Sequence, residues 1–231
     1  MSQYQELKKA VYEANILLPK LDLVSYTFGN ASQIDRSNGI IGIKPSGVPY
    51  DSISQDDIVI VDLDGNVVEG KLKPSSDTKA HLVLYKSLPQ IGGIVHTYST
   101  FAVSWSQAMK PIPILGTFHA DHMFHEVPCT DTMSDDMIKG DYERETGHQI
   151  MEVMKNLDCE EVEMILVANH GPFCWGKDVE AAINNSVLLE KIAKLAYLTL
   201  QINPDVNPLA KKLVNKHYKR KHGKDAYYGQ D

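Results

Sequence analysis

Gly92-Gly93-Ile94-Val95-His96-Thr97-Tyr98-Ser99 is a short apolar run ending on a histidine, with a phenol two residues further along the same face of an extended chain. A second run, Met164-Ile165-Leu166-Val167-Ala168, delivers His170 just ahead of Gly171-Pro172-Phe173. Both read as buried strands. Two histidines at strand ends, with Asp77 upstream and Asp121 downstream, offer the imidazole and carboxylate donors that a catalytic divalent cation uses. A histidine in such a place also serves as a hydrogen-bonded structural residue. Spacing alone leaves both readings open, because it does not show that the two strands converge.

Outward from these runs, strand and helix patterns alternate, and the chain reads as a layered α/β domain with no linker or repeat. Leu7, Val11 and Ala14 predict a helix over residues 4–16, with Pro19 just beyond. Short strands are expected around Leu23-Val24-Ser25-Tyr26 and Gly39-Ile40-Ile41-Gly42-Ile43. Residues 58–61 and 67–69 flank Asp64-Gly65-Asn66 as a hairpin. Ser75-Ser76-Asp77-Thr78 offers capping side chains for a helix ending before Pro89. Further helices are expected from Thr100 to Met109, from Ser134 to about Leu157, and after a cap at Asp178. The tail from Leu213 is basic and aromatic, which fits either a disordered end or a helix lying on a neighbouring subunit.

The 231 residues are enough for one domain with a substantial core. A net charge of −7 argues against nonspecific binding to nucleic acid or anionic membrane, while leaving room for a locally positive anion pocket. Cys129, Cys159 and Cys174 lack metal-finger spacing and read as reduced thiols of a cytoplasmic protein. No apolar run approaches the ~20 residues of a membrane span.

Three polar groups could carry chemistry. Lys44-Pro45-Ser46-Gly47 and Lys73-Pro74-Ser75-Ser76-Asp77 each join a lysine to hydroxyls and backbone amides at a turn, as phosphate sites do and as plain capped turns also do. Gly29-Asn30 adds a third polar turn. His119-Ala120-Asp121-His122 sets a carboxylate among imidazoles, suited to proton transfer or equally to a solvated loop. Tyr227-Tyr228 near the end reads as packing or, beside a cation, as an acid–base phenol.

Together these segments resemble the class II aldolase/epimerase family over essentially the whole chain. The match runs through Glu13-Ala14-Asn15, Thr27-Phe28-Gly29-Asn30, both Lys-Pro-Ser turns, Gly92 to Thr97, His119-Ala120-Asp121, Val127-Pro128-Cys129-Thr130 and His170-Gly171-Pro172-Phe173. It closes with Arg220-Lys221-His222-Gly223 and Ala226-Tyr227-Tyr228-Gly229-Gln230, an ending that marks the epimerase branch. The resemblance implies one three-layer α/β/α domain with a mixed, largely antiparallel central sheet, assembled as a homotetramer whose tail (about 213–231) completes a neighbour's site. It implies Zn2+ or Mn2+ held through Asp77, His96, Tyr98 and His170. Substrate contacts would fall on Gly29, Asn30, Lys44, Ser46, Gly47, Ser75, Ser76 and His217, with Asp121 and Tyr228 as the acid–base pair. The implied reaction interconverts L-ribulose 5-phosphate and D-xylulose 5-phosphate by retro-aldol cleavage and re-addition, in L-arabinose or L-ascorbate catabolism.

The chain also departs from the family pattern. The family writes His-Thr-His where this sequence has His96-Thr97-Tyr98, and Phe118, His122 and His125 replace other residue types. Three readings follow: His122 or His125 supplies the missing ligand, three groups plus Tyr98 hold metal weakly, or the site is lost and the chain is an impaired sugar-phosphate-binding homologue.

Overall fold

Leu7, Val11, Ala14 and Leu18 recur at three- and four-residue spacing and wind the opening segment into α1 (Gln5–Lys20), where all four are buried. The structure is a computed structural model that describes residues 3–222 and 226–228. The helix runs past its expected end and takes Pro19 into its last turn. Proline has no N–H to give the Asn15 carbonyl. Buried Leu18, and the Leu23 N–H bonded to the Leu18 carbonyl at 3.1 Å, hold that turn instead.

The strand expected at 23–26 is a loop. Asp22 and Tyr26 have φ of 57° and 56°, which breaks an extended run, although Leu23 and Val24 stay buried. The first strand is β1 (Asn30–Asp35), whose Asn30, Ser32 and Gln33 give it no apolar pattern in the sequence. It is followed by β2 (Ile40–Ile43), a 3-10 turn (Gln55–Asp57), β3 (Val59–Asp62), β4 (Val67–Glu69) and α2 (Thr78–Ser87). Then come β5 (Gly93–His96), α3 (Thr100–Ala108), α4 (Thr117–Ala120), α5 (Asp135–Lys139) and α6 (Tyr142–Met154). The chain closes with β6 (Met164–Val167), β7 (Gly171–Gly176), α7 (Val179–Ile202) and α8 (Lys211–Lys221). The single helix expected from 134 to 157 is two, because Gly140, with ψ −135°, leaves the helical region between α5 and α6.

The strands form one sheet in the order β4-β3-β2-β1-β5-β7-β6. The mixed, largely antiparallel sheet that the resemblance implies is antiparallel in every strand pairing among the described residues. A parallel contact survives only as an isolated bridge between Cys129 and Leu166. Alternation sets the layers. Ile58 and Ile60 face Leu7 and Val11 of α1, while Val59 and Val61 join a core with Leu84 of α2 and Ile150 of α6. Val179 and Ile183 of α7 share a cluster with Ala14, Leu18 and Val95, which places α7 beside α1. The result is the expected three-layer α/β/α arrangement.

Two contacts fix the middle of the sheet. A Cβ at Gly92 would lie 1.9 Å from the Lys177 carbonyl oxygen, and one at Gly93 would lie 2.3 Å from the Val179 nitrogen, so the start of β5 sits backbone to backbone against the start of α7. Asn15 ties α1 to β1: its side-chain amide donates to the Val11 and Ala31 carbonyls at 2.7 and 3.0 Å, and its oxygen accepts from the Ala31 N–H at 2.9 Å. β2 pairs with β1 only from Ser32 onward, so Asn15 serves the amide that the strand leaves unserved. The basic tail is helical as far as Lys221 and packs on its own chain, with Val214 buried beside Ile114 and Ala120 next to α4. Among the described residues no helix is long and apolar enough to cross a membrane.

Asn15→Ala leaves the buried Ala31 N–H without its acceptor and opens space beneath α1, so the unfolding free energy should fall by about 2–4 kcal/mol. Urea unfolding checks this: the midpoint should drop while the slope with denaturant stays unchanged.

Candidate metal and phosphate site

Register builds the site. Asn30 of β1 pairs with His96 of β5, and His96 pairs with Phe173 of β7, so three side chains stand in one row at the sheet's end. The Phe173 ring stacks on the His96 imidazole at 4.3 Å between centroids. The hairpin joining β6 to β7 turns through Asn169 at φ 61° and is closed by the His170 N–H bonded to the Val167 carbonyl at 3.0 Å. This puts His170 beside His96, with ring centroids 4.7 Å apart. Asp77 comes from the start of α2; its carboxylate makes no capping bond to that helix and instead accepts from the Asn30 amide at 2.7 Å.

Ligand atoms of Asp77, His96 and His170 lie within 4.8 Å of one another. The His96 Nδ1–H donates to the Pro172 carbonyl at 2.9 Å, and its buried Nε2 has no partner among the described residues. That tautomer presents a lone pair to the cluster, as a metal-ligating histidine does. Burial, and then the adjacent His96, push the His170 pKa down to about 4, so its imidazole is neutral. Burial alone would raise Asp77, yet His96, His81, His170 and the Asn30 amide hold it below the ordinary carboxylate value. A carboxylate and two imidazoles converging on one point fit a divalent cation.

Tyr98 reaches this cluster but is not free. Its hydroxyl lies 2.9 Å from His170 Nε2, and burial, with Asp77 and Tyr142 nearby, raises its pKa. It therefore stands as a neutral phenol hydrogen-bonded to His170, where the resemblance implies a ligand. His122 and His125 do not take its place: among the described residues the donor cluster is Asp77, His96 and His170, while His125 Nε2 lies 3.6 Å from Glu161.

Beside the cluster opens a cleft of about 330 Å³ lined by Gly29, Asn30, Lys44, Ser46, Gly47, Ser75 and Ser76. The two Lys-Pro-Ser turns build it by pairing with each other. The Ser46 N–H donates to the Lys73 carbonyl at 2.9 Å, the Ser75 N–H to the Lys44 carbonyl at 3.0 Å, and Pro45 bridges Pro74. Gly29 and Gly47 have φ of 78° and 67°, and a Cβ at Gly29 would lie 2.6 Å from Val24. Lys44 is buried over the Tyr50 ring at 4.7 Å, and that burial lowers its pKa to about 8. Tyr142 and Glu143 also line the cleft. Sequence reasoning missed both, because only the break at Gly140 swings the start of α6 over the opening.

Asp121, His217 and Tyr228 form a second cluster and do not line this cleft. Asp121 follows α4 and is gripped from α8, with His217 Nδ1 at 2.9 Å and Arg220 Nε at 2.7 Å from Oδ1. Its burial would raise the carboxyl pKa, but Arg220 and His217 hold it low. The Tyr228 ring lies 4.7 Å from the Arg220 guanidinium. Gly223 and the closing Gly229-Gln230 lie outside the described residues.

Comparison with known proteins gives a consistent picture. The profile of the Class II Aldolase and Adducin N-terminal domain matches residues 9–197. The chain is 49% identical over 226 residues to the L-ribulose-5-phosphate 4-epimerase UlaF of Salmonella typhi, covering 98% of this chain and 99% of that protein. It is 50% identical over the same span to the UlaF of Salmonella choleraesuis (strain SC-B67). Among solved structures it is similar in fold to an L-fuculose 1-phosphate aldolase (TM-score 0.79, 24% identity, 95% of this chain and 97% of that one). The L-fuculose 1-phosphate aldolase from Glaciozyma antarctica PI12 superposes with a TM-score of 0.77 at 17% identity, covering 97% of this chain and 84% of that one.

Tyr98→His exchanges a neutral phenol for an imidazole at the cluster's edge. Zinc should bind at least about tenfold more tightly than in the parent, by competition with a chromophoric chelator. Equal affinities would mean that position 98 does not face the cation.

Proposed function

The chain belongs to the class II aldolase family, and from that premise we propose that it is a metal-dependent L-ribulose-5-phosphate 4-epimerase. The observation that carries this is the junction of two features: a carboxylate–imidazole cluster that fits a cation, opening directly onto a cleft lined by Lys44 and the hydroxyls and glycines of the polar turns. Near-full-length identity of about half to curated 4-epimerases supports the same reading, and those relatives lend none to an impaired binding homologue. Asp77, His96 and His170 hold the cation, with Tyr98 set against His170. When bound, the cation supplies Lewis-acid polarisation of the substrate ketone. Zinc and manganese both suit this donor set.

The rest is done by side chains and amides of the chain. Lys44, Ser46, Ser75, Ser76 and the Gly29 and Gly47 turns hold the phosphate, and His217 serves the same end of the substrate. A base removes the C4 hydroxyl proton, the C3–C4 bond breaks, and the products are glycolaldehyde phosphate and the enediolate of the three-carbon fragment. Fixed by its phosphate, the aldehyde turns its other face. C3 attacks it again, and an acid protonates the new C4 oxygen, giving the opposite configuration with no net gain or loss of atoms. Inversion asks for two proton-transfer groups on opposite faces. Asp121 and Tyr228 take those roles, reaching the cleft of an adjacent subunit in a homotetramer, which accounts for their absence from the cleft of their own chain.

Purified protein loaded with zinc or manganese should convert L-ribulose 5-phosphate to D-xylulose 5-phosphate, and chelator treatment should stop it. Folded, metal-loaded protein without turnover would sink the proposal.

Lys44 sets a pH dependence. Burial depresses its pKa to about 8, so the ammonium that meets the phosphate is present below that pH and lost above it. The KM for sugar phosphate should rise about tenfold between pH 7 and pH 9. In Lys44→Met, KM should be high and nearly flat over the same range.

A further inference from the structure

We propose that Arg220 is a positioning residue of the reaction, one guanidinium that sets the geometry of both proton-transfer groups. The inference rests on the reading of Asp121 and Tyr228 as that pair. The guanidinium forks onto the Asp121 carboxylate, Nε bonding Oδ1 at 2.7 Å and Nη2 bonding Oδ2. A planar fork of this kind fixes the direction of the carboxylate as well as its charge. The Tyr228 ring lies over the same guanidinium. The Arg220 carbonyl also accepts the N–H groups of Tyr227 and Tyr228 at 2.9 and 3.0 Å, so the residue draws in the tail through its main chain too. Asp121 is buried, with a side chain only 10% exposed, so its alignment is set by these partners and not by water.

Several titratable groups face the pair. Asp121 meets His217 and Arg220 from α8, His222 donates to its carbonyl oxygen at 3.0 Å, and His122 adjoins it in the chain. Tyr228 meets Arg220 and, at 4.9 Å, Lys221. Of these groups only Arg220 touches both Asp121 and Tyr228. Its cation favours an ionised Asp121 ready to accept a proton. Its fork engages both carboxylate oxygens and so fixes the plane in which Asp121 meets the substrate.

Arg220→Lys keeps the charge and loses the fork, whereas Arg220→Met loses both. Both variants keep the main-chain anchor of the tail. In the full-length, metal-loaded enzyme, kcat for L-ribulose 5-phosphate should fall at least about tenfold in Arg220→Lys, with KM within about twofold of the parent. In Arg220→Met the fall should be larger, and the acidic limb of the kcat–pH profile should move to higher pH, because the carboxylate has lost its cation. In Arg220→Lys that limb should stay in place. Parental kcat in folded Arg220→Lys, or an unmoved acidic limb in folded Arg220→Met, overturns the proposal. If Arg220→Met does not fold, judged by circular dichroism, Arg220→Lys carries the test. Asp121→Asn separates the two levels: a collapse of kcat there, with Arg220→Lys at parental rate, rejects the role of Arg220 alone, and parental kcat in Asp121→Asn rejects the assignment beneath it.

Discussion

The register of three antiparallel strands underlies everything else in this molecule. Antiparallel pairing places Asn30, His96 and Phe173 opposite one another on β1, β5 and β7. A slip of one residue in either pairing would send the imidazole to the other face of the sheet. Asn30 in turn donates to Asp77, so the register also sets the carboxylate that begins α2. The Phe173 ring beneath His96 and the Pro172 carbonyl beside it come from the same strand. The imidazole thus gets its floor, its tautomer and its neighbour from a single pairing.

Electrostatics divides the candidate functional side chains into two groups of opposite design. Around Asp77 the neighbours are imidazoles and a phenol, a set of donors converging on a point where a cation would fit. Around Asp121 the positive charge is already supplied by the protein, from Arg220 with His217 beside it. One carboxylate suits ligation and the other suits proton transfer, although both are aspartates. What separates them is the company kept: strand-end histidines in the first case, a basic helix in the second.

Much of this was legible in the sequence. His96 and His170 end apolar runs, and the structure brings them together; the Lys-Pro-Ser turn occurs twice in the sequence, and the two copies are hydrogen-bonded to each other. What escaped was governed by long-range satisfaction of polar groups. β1 looked too polar for a strand because Ser32 meets His81 and Tyr85 of α2, and Asn30 meets Asp77, partners about fifty residues away. The helix through Pro19 and the break at Gly140 depended on tertiary packing and on one backbone angle, which local patterning does not encode. Tyr98 was legible as an anomaly, but its bond to His170 was not, since it needs the β6–β7 hairpin. The basic tail declared its charge and hid its partner, a single carboxylate beyond α4.

The backbone contact between β5 and the start of α7 bears on how such a site can be retuned. With no room for any side chain at Gly92 or Gly93, the strand that carries His96 cannot recoil when its surroundings change volume. Adjustment has to come from the other end, where Phe173 stacks against the imidazole. A larger or smaller residue there should tilt the ring itself and leave the strand where it is. For anyone redesigning the cation preference of this scaffold, position 173 is a set screw, and the two glycines are the vice that makes it work.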